Sequence, residues 1–153
     1  MMIDAKELER ICELNQRMAT MEYKELIDAL AAKYGLPPPG TGDGAVVLDF
    51  NDIPVSFIED THADSILLHA LIGEVPAFAD GSLQKEALKA NAALRETVGA
   101  ALCQDPGTGK YAAVRSMPLA LADVDSLSEA VAGIVALASE WRERLCNFSP
   151  SGV

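Results

Sequence analysis

In the stretch Val46-Val47-Leu48-Asp49-Phe50-Asn51-Asp52-Ile53-Pro54-Val55-Ser56-Phe57, apolar side chains recur at every second position. That is the repeat of a strand and not of a helix. Val46, Leu48 and Phe50 share one face of a first strand, Val55 and Phe57 one face of a second, and Asn51-Asp52 lies at the turn, so the stretch reads as a β-hairpin. Upstream, Pro37-Pro38-Pro39-Gly40-Thr41-Gly42-Asp43-Gly44 is a loop on composition alone. Before it Tyr23, Leu26, Ile27, Leu30 and Tyr34 form a helical stripe that Gly35-Leu36-Pro37 stops. A weaker stripe, Leu8, Ile11, Leu14 and Met18, precedes it behind a capping-box-like Asp4 and Glu7, with Ile3 and Leu8 at staple positions, so a helix begins at Ala5. Only Thr20 offers a weak break between the stripes, and the pattern leaves open whether residues 5 to 34 form one helix or two.

Downstream, Ser65 to Val75 is nearly continuous in apolar residues, as in a central strand, and Pro76 with Asp80-Gly81 ends it. Ser82 is the N-cap expected for a helix to about Thr97, with an apolar stripe of Leu83, Ala87, Ala90, Leu94 and Val98 that Leu88 and Ala92 widen. Its many alanines leave room for a second backbone, as in helix packing within a dimer. Ala100 to Gln104 and Lys110 to Leu119 read as two strands joined by the turn formers Asp105-Pro106-Gly107-Thr108-Gly109. Ser126 and Glu129 are expected as the capping box of a last helix carrying Leu127, Val131, Ile134, Ala138, Trp141 and Leu145, which should pack lengthwise on the core. The prediction is an α+β fold in the order α-β-β-β-α-β-β-α: an antiparallel twisted sheet of about five strands with three helices and an added N-terminal helical segment (1–20). At 153 residues, half of them apolar, one domain is expected over 1–153, with 147–153 a frayed tail.

The net charge is −11, and the 51 residues from Tyr34 to Gln84 contain no Lys or Arg but eight acids, Asp43, Asp49, Asp52, Glu59, Asp60, Asp64, Glu74 and Asp80. Such a surface repels nucleic acid and anionic membrane, so neither is an expected partner. No run has the roughly 18 to 20 apolar residues of a membrane span, and the first residues lack the basic and apolar regions of a secretion signal, so a cytoplasmic location is expected. Cys12, Cys103 and Cys146 lie far apart within apolar patterns and read as buried thiols.

With these elements in order, the chain resembles the type III secretion chaperones of the Tir-chaperone (CesT-type) family. The resemblance rests on Tyr23-x-x-Leu26-Ile27-x-x-Leu30 leading to Tyr34-Gly35-Leu36-Pro37, then Leu48-x-Phe50 and Val55-x-Phe57 followed by Glu59 and Asp60. Leu67 to Ile72 in the third strand, Leu88-x-x-Asn91, Asp105-Pro106-x-Thr108-Gly109 before Tyr111 and the apolar last helix complete it, over residues 21 to 146. Residues 3 to 20 depart from the family pattern by adding a helical stretch in front. The resemblance implies a bacterial, cytoplasmic, ATP-independent homodimer without cofactor that holds the N-terminal region of a secreted effector in extended form. It implies effector contacts around Leu26, Ile27, Leu30, Leu48, Phe50, Val55 and Phe57. The dimer interface it implies is at Leu88, Asn91, Ala92, Leu94, Ala101 and Cys103. For each of the seven effector-side residues the plain alternative is core, the usual place of an amphipathic stripe.

Catalytic and metal chemistry find little support. Gly107-Thr108-Gly109-Lys110 lacks the first glycine and the final Ser or Thr of a phosphate loop and reads as a hairpin turn. His62 and His69 near Glu59, Asp60 and Asp64 fall in different settings, a polar connection and an apolar strand, and read as solvated groups rather than metal ligands. Ser116 has no nucleophile elbow, and Arg115 reads as a partly exposed salt bridge. Two other functions stay open from sequence: a small α+β ligand-binding domain or enzyme, and a chaperone-like regulator that binds a transcriptional regulator.

Overall fold

The computed structural model describes residues 3–37, 39, 45–74, 81–93 and 99–147, with 13–22 by backbone alone. Leu94, Val98 and the end of the predicted second helix lie outside the described residues, as do Val75, Pro76, Asp43, Asp80 and the tail from 148.

The two N-terminal stripes belong to one helix, α1 (Ala5–Lys33), in which Asp4 caps the start by accepting from the Lys6 N–H at 2.9 Å. Among its described side chains, Leu26, Ile27, Leu30 and Ala31 of the second stripe are buried, while Leu8 and Ile11 of the first, and Ile3 before the helix, are exposed. Strands β1 (Ala45–Phe50), β2 (Ile53–Asp60) and β3 (Ser65–Gly73) follow as a meander, then α2 (Ser82–Ala92), β4 (Ala101–Gln104), β5 (Tyr111–Pro118), a short 3₁₀ turn (Leu119–Leu121) and α3 (Val124–Cys146). All neighbours are antiparallel, in the order β1-β2-β3-β5-β4. The second hairpin therefore enters the sheet through β5, which leaves β4 at the far edge.

Asn51 and Asp52 both have positive φ, 51° and 67°, the two-residue turn whose twist matches a right-twisted hairpin. Asn and Asp tolerate that conformation without glycine. The helix face of the sheet carries Leu48, Phe50, Val55, Phe57, Ile66, Leu68, Ala70 and Ile72, all buried under α3, whose Leu127, Val131, Ile134, Ala138, Trp141 and Leu145 are also buried. α1 packs against α3 and the 3₁₀ turn.

Three local expectations are corrected. α3 starts earlier than Ser126: Asp123 is the N-cap, its Oδ1 accepting from the Ser126 N–H at 2.7 Å while Ser126 Oγ accepts from the Asp123 N–H at 2.9 Å, so the capping box is Asp123–Ser126 and not Ser126–Glu129. Gly81 and not Ser82 occupies the N-cap of α2, at φ 90°, a conformation glycine adopts without strain. The three cysteines are exposed rather than buried, because Cys12 lies on the exposed first turns of α1, Cys103 on an edge strand and Cys146 in the last turn of α3.

Candidate functional site

β1 is one edge of the sheet, and the tight turn fixes which of its backbone groups are free. The closing pair Phe50–Ile53 exchanges both hydrogen bonds, so by alternation Leu48 and Val46 also bond to β2, while Ala45, Val47 and Asp49 turn N–H and C=O outward. On the sheet face away from the helices, Val47 is 57% exposed and Ile58 of β2 is 37% exposed. Beside the end of β1 a groove of about 570 Å³ opens between Tyr34, Leu36, Phe50 and the α3 side chains Val131 and Val135. Tyr34 forms its wall, meeting Phe50 edge-on at 5.1 Å between ring centroids and sharing a 2.8 Å hydrogen bond with Ser128 Oγ. An unpaired strand edge beside apolar side chains can take up an extended peptide as one more strand, its alternate side chains reaching the groove.

The opposite edge is blocked at Leu102. Asn91 on α2 donates to the Leu102 carbonyl at 2.9 Å and accepts from the Leu102 N–H at 2.7 Å. Its amide pairs with β4 there as a neighbouring strand would, an obstacle that β1 does not show among the described residues. The alternation through β5 agrees, since Leu102 does not bond to Ala113 and faces outward.

Leu26, Ile27, Leu30, Leu48, Phe50, Val55 and Phe57 are all buried within the protomer. In the protomer they take the core alternative: helical spacing turns Leu26, Ile27 and Leu30 of α1 inward, strand alternation does the same for Leu48, Phe50, Val55 and Phe57, and the exposed large apolar residues of the hairpin are Val47 and Ile58. Along α2 and β4, Leu88 is 69% exposed, and Ala92, Ala101 and Cys103 are exposed as well. Asn91, placed by sequence with an interface, is engaged within its own protomer.

Sequence reasoning missed Arg142. Its guanidinium donates through Nε to the Ile72 carbonyl at 2.8 Å, through Nη2 to Leu71 at 3.0 Å and through Nη1 to Asp52 at 2.9 Å. Each acceptor has a reason to be unpaired. Leu71 faces the position of Pro54, which has no N–H to give; Ile72 is the bulged residue where the β3–β5 register shifts; and Asp52 is in the turn. A proline inside a strand pattern was the available signal.

Asp105 closes the β4–β5 turn, accepting from the Thr108 hydroxyl at 2.7 Å and from the Thr108 and Gly107 N–H groups, and the Thr108 bond first holds its carboxyl below the usual value. That settles Gly107 to Lys110 as a turn. Partial desolvation of its exposed side chain, and then the charge of Asp105, pushes the Cys103 thiol up, so little of it is the nucleophilic thiolate. Burial followed by the Glu59 charge pushes up Tyr23, whose hydroxyl donates to the Phe57 carbonyl at 3.3 Å and pins α1 to β2. Arg115 makes no ion pair among the described residues, which corrects the expected salt bridge; its strand neighbours on that face are Tyr111, Ala113 and Met117. His62 sits in the turn after β2 and His69 mid-strand in β3.

The profile of the Tir chaperone protein (CesT) family matches residues 25–142. The chain belongs to that family. The match begins within α1, so the front of that helix lies outside it. Among solved structures, one chain of the ExsC–ExsE complex is similar at a TM-score of 0.73 and 18% identity, over 82% of this chain and 95% of that one. A chain of the HopA1–SchA chaperone–effector complex gives 0.67 and 23%, over 82% and 97%. A chain of the heterodimeric ExoU–SpcU complex from the type III secretion system of Pseudomonas aeruginosa gives 0.59 and 20%, over 78% and 93%. At these identities the likeness is one of fold. No curated protein sequence matches significantly.

Proposed function

We propose that this Tir-family chain is a cytoplasmic, homodimeric secretion chaperone. It holds the N-terminal region of a secreted client extended along β1 and keeps it soluble for export. The mechanism is binding without turnover. The observation that carries the reading is the free β1 edge, with outward backbone groups at Ala45, Val47 and Asp49, beside the groove at Phe50, Val131 and Val135. Membership of a chaperone family supports it, as does fold similarity to chains taken from chaperone–effector complexes. No described helix is long and apolar enough to cross a membrane. Leu88, Ala92, Ala101 and Cys103 offer the small and apolar surface that self-association needs, with Leu88 the largest exposed side chain among them.

Val47→Pro tests this, because the Val47 N–H points away from β2 and its loss leaves the β1–β2 ladder whole. Tagged wild-type chain recovered from its native cells should carry a secreted protein bound through its N-terminal region, two chaperone chains to one client. The Val47→Pro chain should melt at the same temperature and bind that client about tenfold more weakly, the loss of one strand bond. Equal retention by both chains, or a client bound through its folded C-terminal part, would sink the proposal.

A further inference from the structure

We propose, on the reading of β1 as the client edge, that this edge selects by charge: the bound strand carries Lys or Arg opposite Asp49, with an apolar residue on either side of it. Val47 and Asp49 alternate with the buried Leu48 and Phe50, so the exposed Asp49 side chain stands on the sheet face away from the helices. The Asp49 N–H and C=O are among those turned outward, so a strand laid along β1 bonds to Asp49 itself and places one residue opposite it on that same face. The residues before and after that one turn the other way, toward the groove that Asp49 lines together with Phe50, Val131 and Val135. This pattern holds whichever way the strand runs.

The Asp49 carboxylate has no cation of its own. Among the described residues it makes no ion pair, and its opposite number in β2 is Pro54, which brings no charge. The chain supplies no Lys or Arg from Tyr34 to Gln84, and the cations that border the site are engaged: Lys33, next to Tyr34, with Asp125 at 3.5 Å, and Arg142 with three carbonyls, that of Asp52 among them. Opposite charges directly across a strand pair attract and like charges repel, so Lys or Arg at that position favours an incoming strand and Asp or Glu opposes it. A charge on an edge strand also serves to keep bare edges from pairing with one another. Such a guard repels copies of β1, each bringing its own Asp49, so only attraction to a cation distinguishes selection from guarding.

The probes are three short, end-blocked, fluorescein-labelled peptides in which valine alternates with threonine, the central threonine being kept or replaced by lysine or by glutamate. Anisotropy titrations of the full chain at low salt should rank them lysine, threonine, glutamate. The lysine peptide should bind about tenfold more tightly than the glutamate one, from one attraction gained and one repulsion avoided. At about 1 M salt, where charges are screened beyond roughly 3 Å, that ratio should fall toward one. Asp49→Asn should cut it to about twofold, what the acidity of the whole chain confers, and Asp49→Lys should reverse the order. Both variants should melt with the wild type, because Asp49 is exposed. Glu86→Gln removes the same unit of charge from α2, which packs on β4 at the far edge of the sheet, and should leave the ratio unchanged. If no peptide binds, or Val47→Pro retains all three undiminished, the β1 reading itself fails and charge selection with it. If Val47→Pro weakens all three but the wild-type ratio is near one, or survives in Asp49→Asn, the edge stands and charge selection is overturned.

Discussion

Arg142 answers three carbonyls with one planar fork, which a lysine cannot do. Arg142→Ala should therefore lower the unfolding free energy by about 3 kcal/mol, the scale of charged hydrogen bonds lost with acceptors left unmet. In urea titration Arg142→Lys should recover less than half of that loss. A negligible change for the alanine variant would mean that solvent already serves these carbonyls. Residue identity told only part of this in advance. The sequence shows Pro54 as a missing donor, but the bulge at Ile72 comes from a register shift between strands far apart in the chain, which no local pattern records. Val47 illustrates a second limit, since alternation separates it from Val46 and Leu48 but does not say which of the two faces α3 will cover.

Elements were legible where periodicity was long and turn chemistry specific: the hairpin at Asn51-Asp52, the stripe of α3 and the turn at Asp105 all follow from local residues. Helix starts were less so, because Asp123 and Ser126 are both good caps and only packing of Val124 onto the core decides between them. That cap makes α3 sensitive to acid. The Ser126 N–H bond first holds the Asp123 carboxyl below its ordinary 3.8. The folded value is depressed, so its stabilisation is fully present above pH 3.8 and is lost as pH falls through the lowered folded value. Thermal melts across pH 2 to 6 should show Asp123→Ala destabilised at the upper end and converging on the wild type at the lower end. A constant gap between the two curves would show that the cap works through shape and not charge. Strand order was the element-level property out of reach, since the antiparallel β3–β5 pairing that sends β4 to the edge depends on a connection made through α2.

For the whole molecule, the proposed homodimer makes the exposed α2–β4 border the surface to test. Leu88→Asp tests that border without touching the core, because Leu88 is already exposed in the protomer. Light scattering should give twice the 16.2 kDa chain for the wild type and a single chain for the variant, with near-equal melting of the diluted proteins. A wild type that is monomeric at every concentration would remove the dimer from the proposal. The long front of α1 stays outside the family match, and its exposed Ile3, Leu8 and Ile11 have no cover among the described residues. The clasp at Arg142 has a bearing on time as well as on energy. Its partners precede it by 70 to 90 positions, so a ribosome moving at about 5–20 residues per second releases the hairpin on the order of ten seconds before the group that finishes it. A polypeptide terminated before Arg142 leaves the Asp52, Leu71 and Ile72 carbonyls without that donor, and the strand ends there open to proteases.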